Sequence, residues 1–223
     1  MPAPTLYSAP FTALLNTLYE QADRSAQSLR ERSEGLSRQE FARLMTSRTD
    51  YKEVHQSLEN DPLPVSADAG RLLYMLVVTS WAREIVEFGT SFGVSTLHLA
   101  AAVRDIGGGR IISAEYLPSK AATARGNLEQ VGLSGLVEIR EGDALQTLAT
   151  GLPDEVDLLL LDGAKGLYLD IFGLVESRLR PGALIIADNA EWCPEYLAHV
   201  RSQANGYTSL PCLSGLELTM KLP

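Results

Sequence analysis

The chain has two cysteines, Cys193 and Cys212, in 223 residues. That is too few for a disulfide framework, so a hydrophobic core must carry the fold, and a reducing, cytoplasmic setting is expected. No apolar run approaches the ~20 residues that a membrane helix needs. The stretch 1–10 also lacks the basic flank and apolar segment of a secretory signal. No membrane partner is therefore expected. Positive charge is in deficit, with 19 Lys and Arg against 28 Asp and Glu, for a net −9. A surface of that sign disfavours long contacts with nucleic acid phosphates and points to small-molecule chemistry. Internal repeats and low-complexity tracts are missing too, which removes solenoid and disordered classes.

What is present suits one globular unit, since 45% hydrophobic residues at this length can bury a substantial core. The first third reads as helix. Leu14, Leu15, Leu18 and Tyr19 recur at helical spacing. A second helix is expected over 37–58, where Ser37 precedes Glu40 by the three residues of a capping box. The run Asn60-Asp61-Pro62-Leu63-Pro64 breaks the pattern and separates a helical extension, 1–63, from a domain spanning 64–223. The extension is expected to pack on that domain or to form the contact of a homodimer. Beyond it, apolar runs at 84–88, 110–114, 136–140, 156–161 and 183–187 alternate with helical spacing over 94–104, 118–131, 144–150 and 167–179. Near-continuous apolar strands separated by helices imply a parallel sheet covered on both faces. Gly107-Gly108-Gly109 and Pro181-Gly182 read as turns before strands. The tail differs, with strand-like runs at 206–213 and 216–222 joined by Ser214-Gly215 as a hairpin. The expected fold is thus α/β: a doubly wound, Rossmann-like, seven-stranded mixed sheet of five parallel strands plus an antiparallel hairpin. In such sheets ligands sit outside the carboxyl ends of the strands.

The loops at those ends carry the chemistry. The first strand runs into Glu87-Phe88-Gly89-Thr90-Ser91-Phe92-Gly93-Val94-Ser95. Gly89 and Gly93 permit a tight turn and close approach of a ligand. The spacing is not the G-x-G-x-x-G of pyrophosphate binders. It suits a neutral adenosine with an amino acid tail, to whose carboxylate Ser95 can donate. Glu115, ending the second strand, is placed to accept both hydroxyls of a ribose or to cap the helix that begins at Pro118. In Glu141-Gly142-Asp143-Ala144, Asp143 either accepts from an adenine amino group or caps the following helix. The fourth and fifth strands deliver Asp162-Gly163-Ala164-Lys165 and Asp188-Asn189. Two carboxylates and an amide without nearby Cys or His form a hard-oxygen set for Mg²⁺; taken singly, each is equally a helix cap or turn residue. Lys165 is either a solvated lysine or one that reaches a substrate held there.

On these residues, 64–222 resembles the metal-dependent O-methyltransferases, the family of catechol and caffeoyl-CoA O-methyltransferases among the class I enzymes that use S-adenosylmethionine. The stretch 87–95 is similar to that family's first motif, and Glu115 falls on its ribose-binding acid. Asp162-Gly163-Ala164-Lys165 with Tyr168 resembles its metal-and-lysine motif, and Asp188-Asn189 followed by Trp192 its second metal motif. The stretch 64–70, which includes Val65, is similar to the segment that closes over the cofactor. The resemblance implies cofactor contacts from Val65, Glu87, Gly89, Thr90, Ser91, Gly93, Ser95, Glu115, Gly142, Asp143, Ala144 and Asp162. It implies a divalent metal, Mg²⁺, on Asp162, Asp188 and Asn189. It makes Lys165 the general base, with Asp162 beside it, acting on a phenolic or catechol-like small molecule. The chain departs from the family at Gly163, where many relatives carry a larger residue, and near Thr208, where a late acceptor carboxylate has no counterpart. A metal-independent methyltransferase or a non-catalytic cofactor-binding protein would keep the same cofactor loops. A nicotinamide-dependent dehydrogenase is disfavoured by the glycine spacing. A DNA adenine methyltransferase is disfavoured because no Pro-Pro-aromatic sequence follows the fourth strand.

Overall fold

Strand propensity and helix periodicity place the elements almost where the pattern puts them. A computed structural model of the chain describes residues 4–33, 40, 43–44, 46–213 and 215–223. Five strands, β1 (Glu84–Phe88), β2 (Arg110–Glu115), β3 (Val137–Glu141), β4 (Val156–Leu161) and β5 (Leu179–Ala187), pair in parallel. The final strands, β6 (Tyr207–Cys212) and β7 (Leu216–Lys221), form an antiparallel hairpin whose β7 adds to β5. The order is β3-β2-β1-β4-β5-β7-β6, so the chain reverses direction of travel between β1 and β4. That switch point is where such sheets bind ligands.

The two faces follow from the period of two along each strand. Ile85, Ile111, Leu158, Leu160 and Ile186 face one helical layer, and Val86, Phe88, Ile112, Leu159, Leu161 and Ile185 face the other. On the first face lie α1 (Ala9–Ser33), α3 (Ala67–Ser80), α4 (Val94–Asp105) and α5 (Pro118–Gln130). Helix α4 is buried on every side because it lies between the sheet, α3 and the turn Thr5–Tyr7. Its run Ala100-Ala101-Ala102 keeps it slim enough to do so. On the second face lie α2 (Tyr51–Ser57), α6 (Ala144–Thr147), α7 (Tyr168–Glu176) and α8 (Pro194–Val200). Phe11, Leu14, Leu15 and Leu18 of α1 are buried at the expected helical spacing. The Asp105 carboxylate accepts from Thr5 N at 2.9 Å, Thr5 Oγ1 at 2.6 Å and Tyr74 Oη at 2.7 Å, which ties the N-terminal segment to α3 and α4.

Two expectations need correction. The helix expected over 37–58 is helical, where described, only at 40, 43–44 and 51–57; Ser37 lies outside the described residues. Ser47 breaks it, since its Oγ accepts from Asp50 N at 2.9 Å and Thr49 N at 3.3 Å and satisfies amides that a helix would have used. Pro181-Gly182 is not a turn before the fifth strand but lies inside it, and the strand starts at Leu179. The register with β4 shifts between Val156 and Leu158, a bulge that absorbs the irregularity. Ser214 of the expected hairpin turn lies outside the described residues, while Gly215 takes φ 83°.

Candidate active site

The turn after β1 is built on glycine for a steric reason. Gly89 has φ 105°, and a Cβ there would lie 2.5 Å from the Asp162 carbonyl oxygen. The β1 and β4 ends therefore approach closely only because the side chain is missing. Gly93, with φ 87°, begins α4. Below the turn, the fully buried Glu87 carboxylate accepts from Ser95 Oγ at 2.6 Å, Thr96 Oγ1 at 2.6 Å and Ser113 Oγ at 2.5 Å. Burial pushes Glu87 above the usual carboxylate range against those hydroxyls. The single hydroxyl proton of Ser95 goes to Glu87, so Ser95 presents an acceptor to the cavity it lines.

Glu115 accepts from Ser91 N at 2.7 Å and from Leu117 N at 2.9 Å. Burial raises its pKa, opposed by these amides and by the nearby Lys120 ammonium. Asp143 caps α6, accepting from Leu145 N at 3.1 Å, and its other oxygen accepts from Tyr51 Oη at 3.1 Å. Its carboxylate is thus engaged by the helix cap and by a tyrosine of the N-terminal extension.

A cavity of about 560 Å³ opens at the switch point. Val65, Gly89, Thr90, Ser91, Ser95, Glu115, Asp162, Lys165, Asp188 and Asn189 all line it. Glu87 and Gly93 support the turn from beneath it. Gly142 and Ala144 line a small recess of about 30 Å³ alongside, together with Tyr51, His55 and Tyr116.

On the wall of the same cavity the β4 and β5 strand ends bring two carboxylates together. Lys165 Nζ lies 3.3 Å from Asp162 Oδ1 and 3.7 Å from Asp188 Oδ2, and donates to Tyr168 Oη at 2.7 Å. Tyr168 Oη donates onward to the Asp188 carbonyl at 2.8 Å, which fixes the phenol. Burial, and then the Asp188 carboxylate, hold Asp162 well above the usual range despite Lys165. Asn189 takes a left-handed backbone, φ 49°, and its amide nitrogen would be 3.2 Å from a Cβ at Gly215. Among the described residues no group of three or more His, Cys, Asp and Glu forms a metal cluster. The Asp162, Asp188 and Asn189 set supplies two carboxylates and an amide on one cavity wall, the donor chemistry that a hard divalent cation takes. Lys165 also lines a second cavity, about 730 Å³, with Arg48, Trp192 and Pro194.

Sequence reasoning missed three residues here: Tyr51, His55 and Lys120, which line these cavities from outside the strand-end loops. The 3.6-residue spacing of α2 gave no signal of what it covers. Burial, with Lys120 and Lys165 adding to it, pushes the His55 imidazole from its ordinary 6.5 down to about 4. The unfolded ring protonates at the higher pH, so this stability is fully present above 6.5 and is lost as pH falls toward 4. Unfolding by urea at pH 4.5, 5.5 and 7 is expected to show a loss of about 2–3 kcal/mol on acidification that His55→Gln removes. Equal slopes in both proteins would remove His55 as the cause.

Three comparisons bear on this site. Residues 86–190 match a family described as a methyltransferase domain. Over 130 residues the chain is 35% identical to a catechol O-methyltransferase of Niastella koreensis, covering 57% of this chain and 58% of that one. Over 127 residues it is 37% identical to a catechol O-methyltransferase of Mycobacterium tuberculosis, covering 57% of each. The match thus spans less than three fifths of these curated relatives. The O-methyltransferase TomG of Streptomyces achromogenes, solved in complex with SAM, superposes with TM-score 0.65 at 25% identity. That superposition covers 82% of this chain and 94% of TomG.

Proposed function

We propose, from the match of residues 86–190 to a methyltransferase domain family, an enzyme that moves the methyl group of S-adenosylmethionine to a hydroxyl of a small phenolic or catechol-like acceptor. The observation that carries the reading is the shared cavity, which Glu115 and the Gly89 turn line together with Asp162, Lys165 and Asp188. Glu115 receives the ribose hydroxyls, Gly89, Thr90 and Ser91 leave room for the cofactor backbone, and Val65 closes over it. The methyl group then faces Lys165. An acceptor oxygen held in line at about 3–3.5 Å attacks it, the carbon–sulfur bond breaks as the carbon–oxygen bond forms, and S-adenosylhomocysteine leaves. Lys165, once its ammonium has lost a proton to solvent, takes the acceptor proton as the neutral amine.

Asp162, Asp188 and Asn189 would hold a divalent cation, Mg²⁺ by ligand type. Bound there, it would supply Lewis acidity that favours the ionised form of an acceptor hydroxyl. A second reading is metal-independent transfer, and one observation favours it: the Lys165 ammonium already sits between the two carboxylates. The proposal also covers a homodimer through the N-terminal helices, with 1–63 as a cap on a catalytic 64–223. No helix among the described residues is long and apolar enough to cross a membrane, and both cysteines are free thiols. A cytoplasmic setting that keeps them reduced is part of the same proposal.

The test is methyl transfer from labelled S-adenosylmethionine to catechols, hydroxycinnamoyl thioesters and monophenols, with Mg²⁺ and with EDTA. Transfer to vicinal diols that EDTA abolishes is the expected result. Transfer indifferent to EDTA would select the second reading, and cofactor binding without transfer to any acceptor would overturn both.

A further inference from the structure

We infer that Tyr51, carried by α2 of the N-terminal extension, covers the adenine of the cofactor, so that the extension completes the nucleoside site and does not merely pack on the sheet. That role rests on the cofactor reading above, and no strand-end motif supplies the contact. With the ribose at Glu115, the attached base lies beside the next residue, Tyr116. The small recess that Tyr116 lines shares Gly89, Glu115, Tyr51 and His55 with the main cavity. Its strand-end wall is made of Gly142, Ala144, Gly163 and Ala164, which carry almost no side chain. Gly163 has no room for one, because a Cβ there would lie 2.5 Å from the Phe88 ring. A flat base can therefore approach that wall closely. The rings of the recess are those of Phe88 and Tyr116 and, from α2, those of Tyr51 and His55. Its volume of about 30 Å³ takes one edge of a purine and not the whole ring, so the rest of the base lies in the main cavity, which Tyr51 and His55 also line.

Direct contacts fasten this part of the extension to the site. Tyr51 is 7% exposed, and its Oη donates to Asp143 Oδ2 at 3.1 Å. Its ring meets those of Tyr116 and His55 edge-on, at centroid distances of 6.0 and 6.2 Å. Lys52 Nζ lies 3.3 Å from the same Asp143 oxygen and 5.6 Å from the Tyr51 ring centroid. Further back, Arg48 pairs with Asp170 at 2.5 Å, and Gly166 is bare where a Cβ would run into the Thr46 carbonyl oxygen. Asp143 caps α6 with its other oxygen, so one carboxylate ties the loop after β3 to the extension. Packing alone does not call for a phenol here. An apolar side chain would fill the volume without a hydroxyl that must find a partner. What tyrosine adds is an aromatic face that its own hydroxyl holds in place, and a base stacks on such a face.

The test uses the full chain with two probes, S-adenosylhomocysteine and S-ribosylhomocysteine, which is the same molecule without adenine. The parent should bind the first more tightly, and Tyr51→Leu should cut that preference about tenfold. The loss should fall on S-adenosylhomocysteine alone, with the dissociation constant of S-ribosylhomocysteine kept within about twofold. Tyr51→Phe keeps the ring and should hold the preference within about threefold of the parent. A tyrosine that served only the fold would weaken both ligands alike. Amide exchange over 52–58 in the parent, with each ligand saturating, tests the same contact without any variant. It should slow with S-adenosylhomocysteine and not with S-ribosylhomocysteine. An unchanged preference in Tyr51→Leu, or equal protection of 52–58 by both ligands, would overturn the role of Tyr51. Failure of the parent protein to bind S-adenosylhomocysteine would instead overturn the cofactor reading.

Discussion

Lys165→Met is expected to lower kcat by about 10³-fold while the dissociation constant for S-adenosylmethionine stays within about threefold of the parent. Proton transfer by a positioned group contributes on the order of 10²–10⁴ to such reactions, and Lys165 is the basic residue beside the two carboxylates that is fixed in place. Tyr168, Asp162 and Asp188 hold its Nζ at 2.7, 3.3 and 3.7 Å, and the side chain is only 6% exposed. Methionine fills the same volume without the nitrogen. It also leaves two carboxylates without their internal cation, so Asp162 will hold its proton still more tightly. Added Mg²⁺ should then bind the variant no more weakly than the parent, because a competing positive charge has gone. Rapid-quench measurement of a single turnover isolates the chemical step from cofactor binding. A single-turnover rate within tenfold of the parent would remove Lys165 as proton acceptor and leave it only to balance the two acids.

The sheet was legible in the sequence because its determinants are local. Runs such as Leu158–Leu161 are apolar at successive positions, as suits a strand covered on both faces, and all four of these residues are buried. The strand-end loops were legible for the same reason, since a sharp turn needs Gly89 wherever the rest of the chain lies. The site's roof was not. Tyr51, His55 and Lys120 reach the cavities from α2 and from the first turn of α5, and only tertiary packing decides what those faces meet. The motif 64–70 carries a second lesson. Gly70 looks like part of a cofactor segment, but a Cβ there would lie 2.5 Å from the ring of buried His98, so its absent side chain serves the α3–α4 contact. Ser47 and Pro181 misled the reading in opposite directions. One ends a helix through side-chain hydrogen bonds that periodicity does not register, and the other is tolerated inside a strand because the register shifts there.

Glu115→Gln tests the proposed ribose contact and is expected to raise the dissociation constant for S-adenosylmethionine by about 10²-fold. Hydrogen bonds to a charged acceptor contribute roughly 1.5–3 kcal/mol each, and a ribose offers two hydroxyls. In the proposed role each carboxylate oxygen accepts from one of them. Ser91 N and Leu117 N donate to one oxygen each, at 2.7 and 2.9 Å, and the side chain lines the cavity. Glutamine turns one of those acceptors into a donor. Its NH₂ must then face either a backbone N–H or a ribose hydroxyl, and the first choice disturbs the Ser91 turn, whose backbone already sits at φ 49°. Calorimetric titration with S-adenosylmethionine and with S-adenosylhomocysteine should show the same loss for both, because the ribose is common to them. Once cofactor is saturating, kcat should recover to within a fewfold of the parent. A loss confined to kcat, with affinity for both nucleosides intact, would move Glu115 out of the ribose site and leave it as the residue that fixes the Ser91 turn.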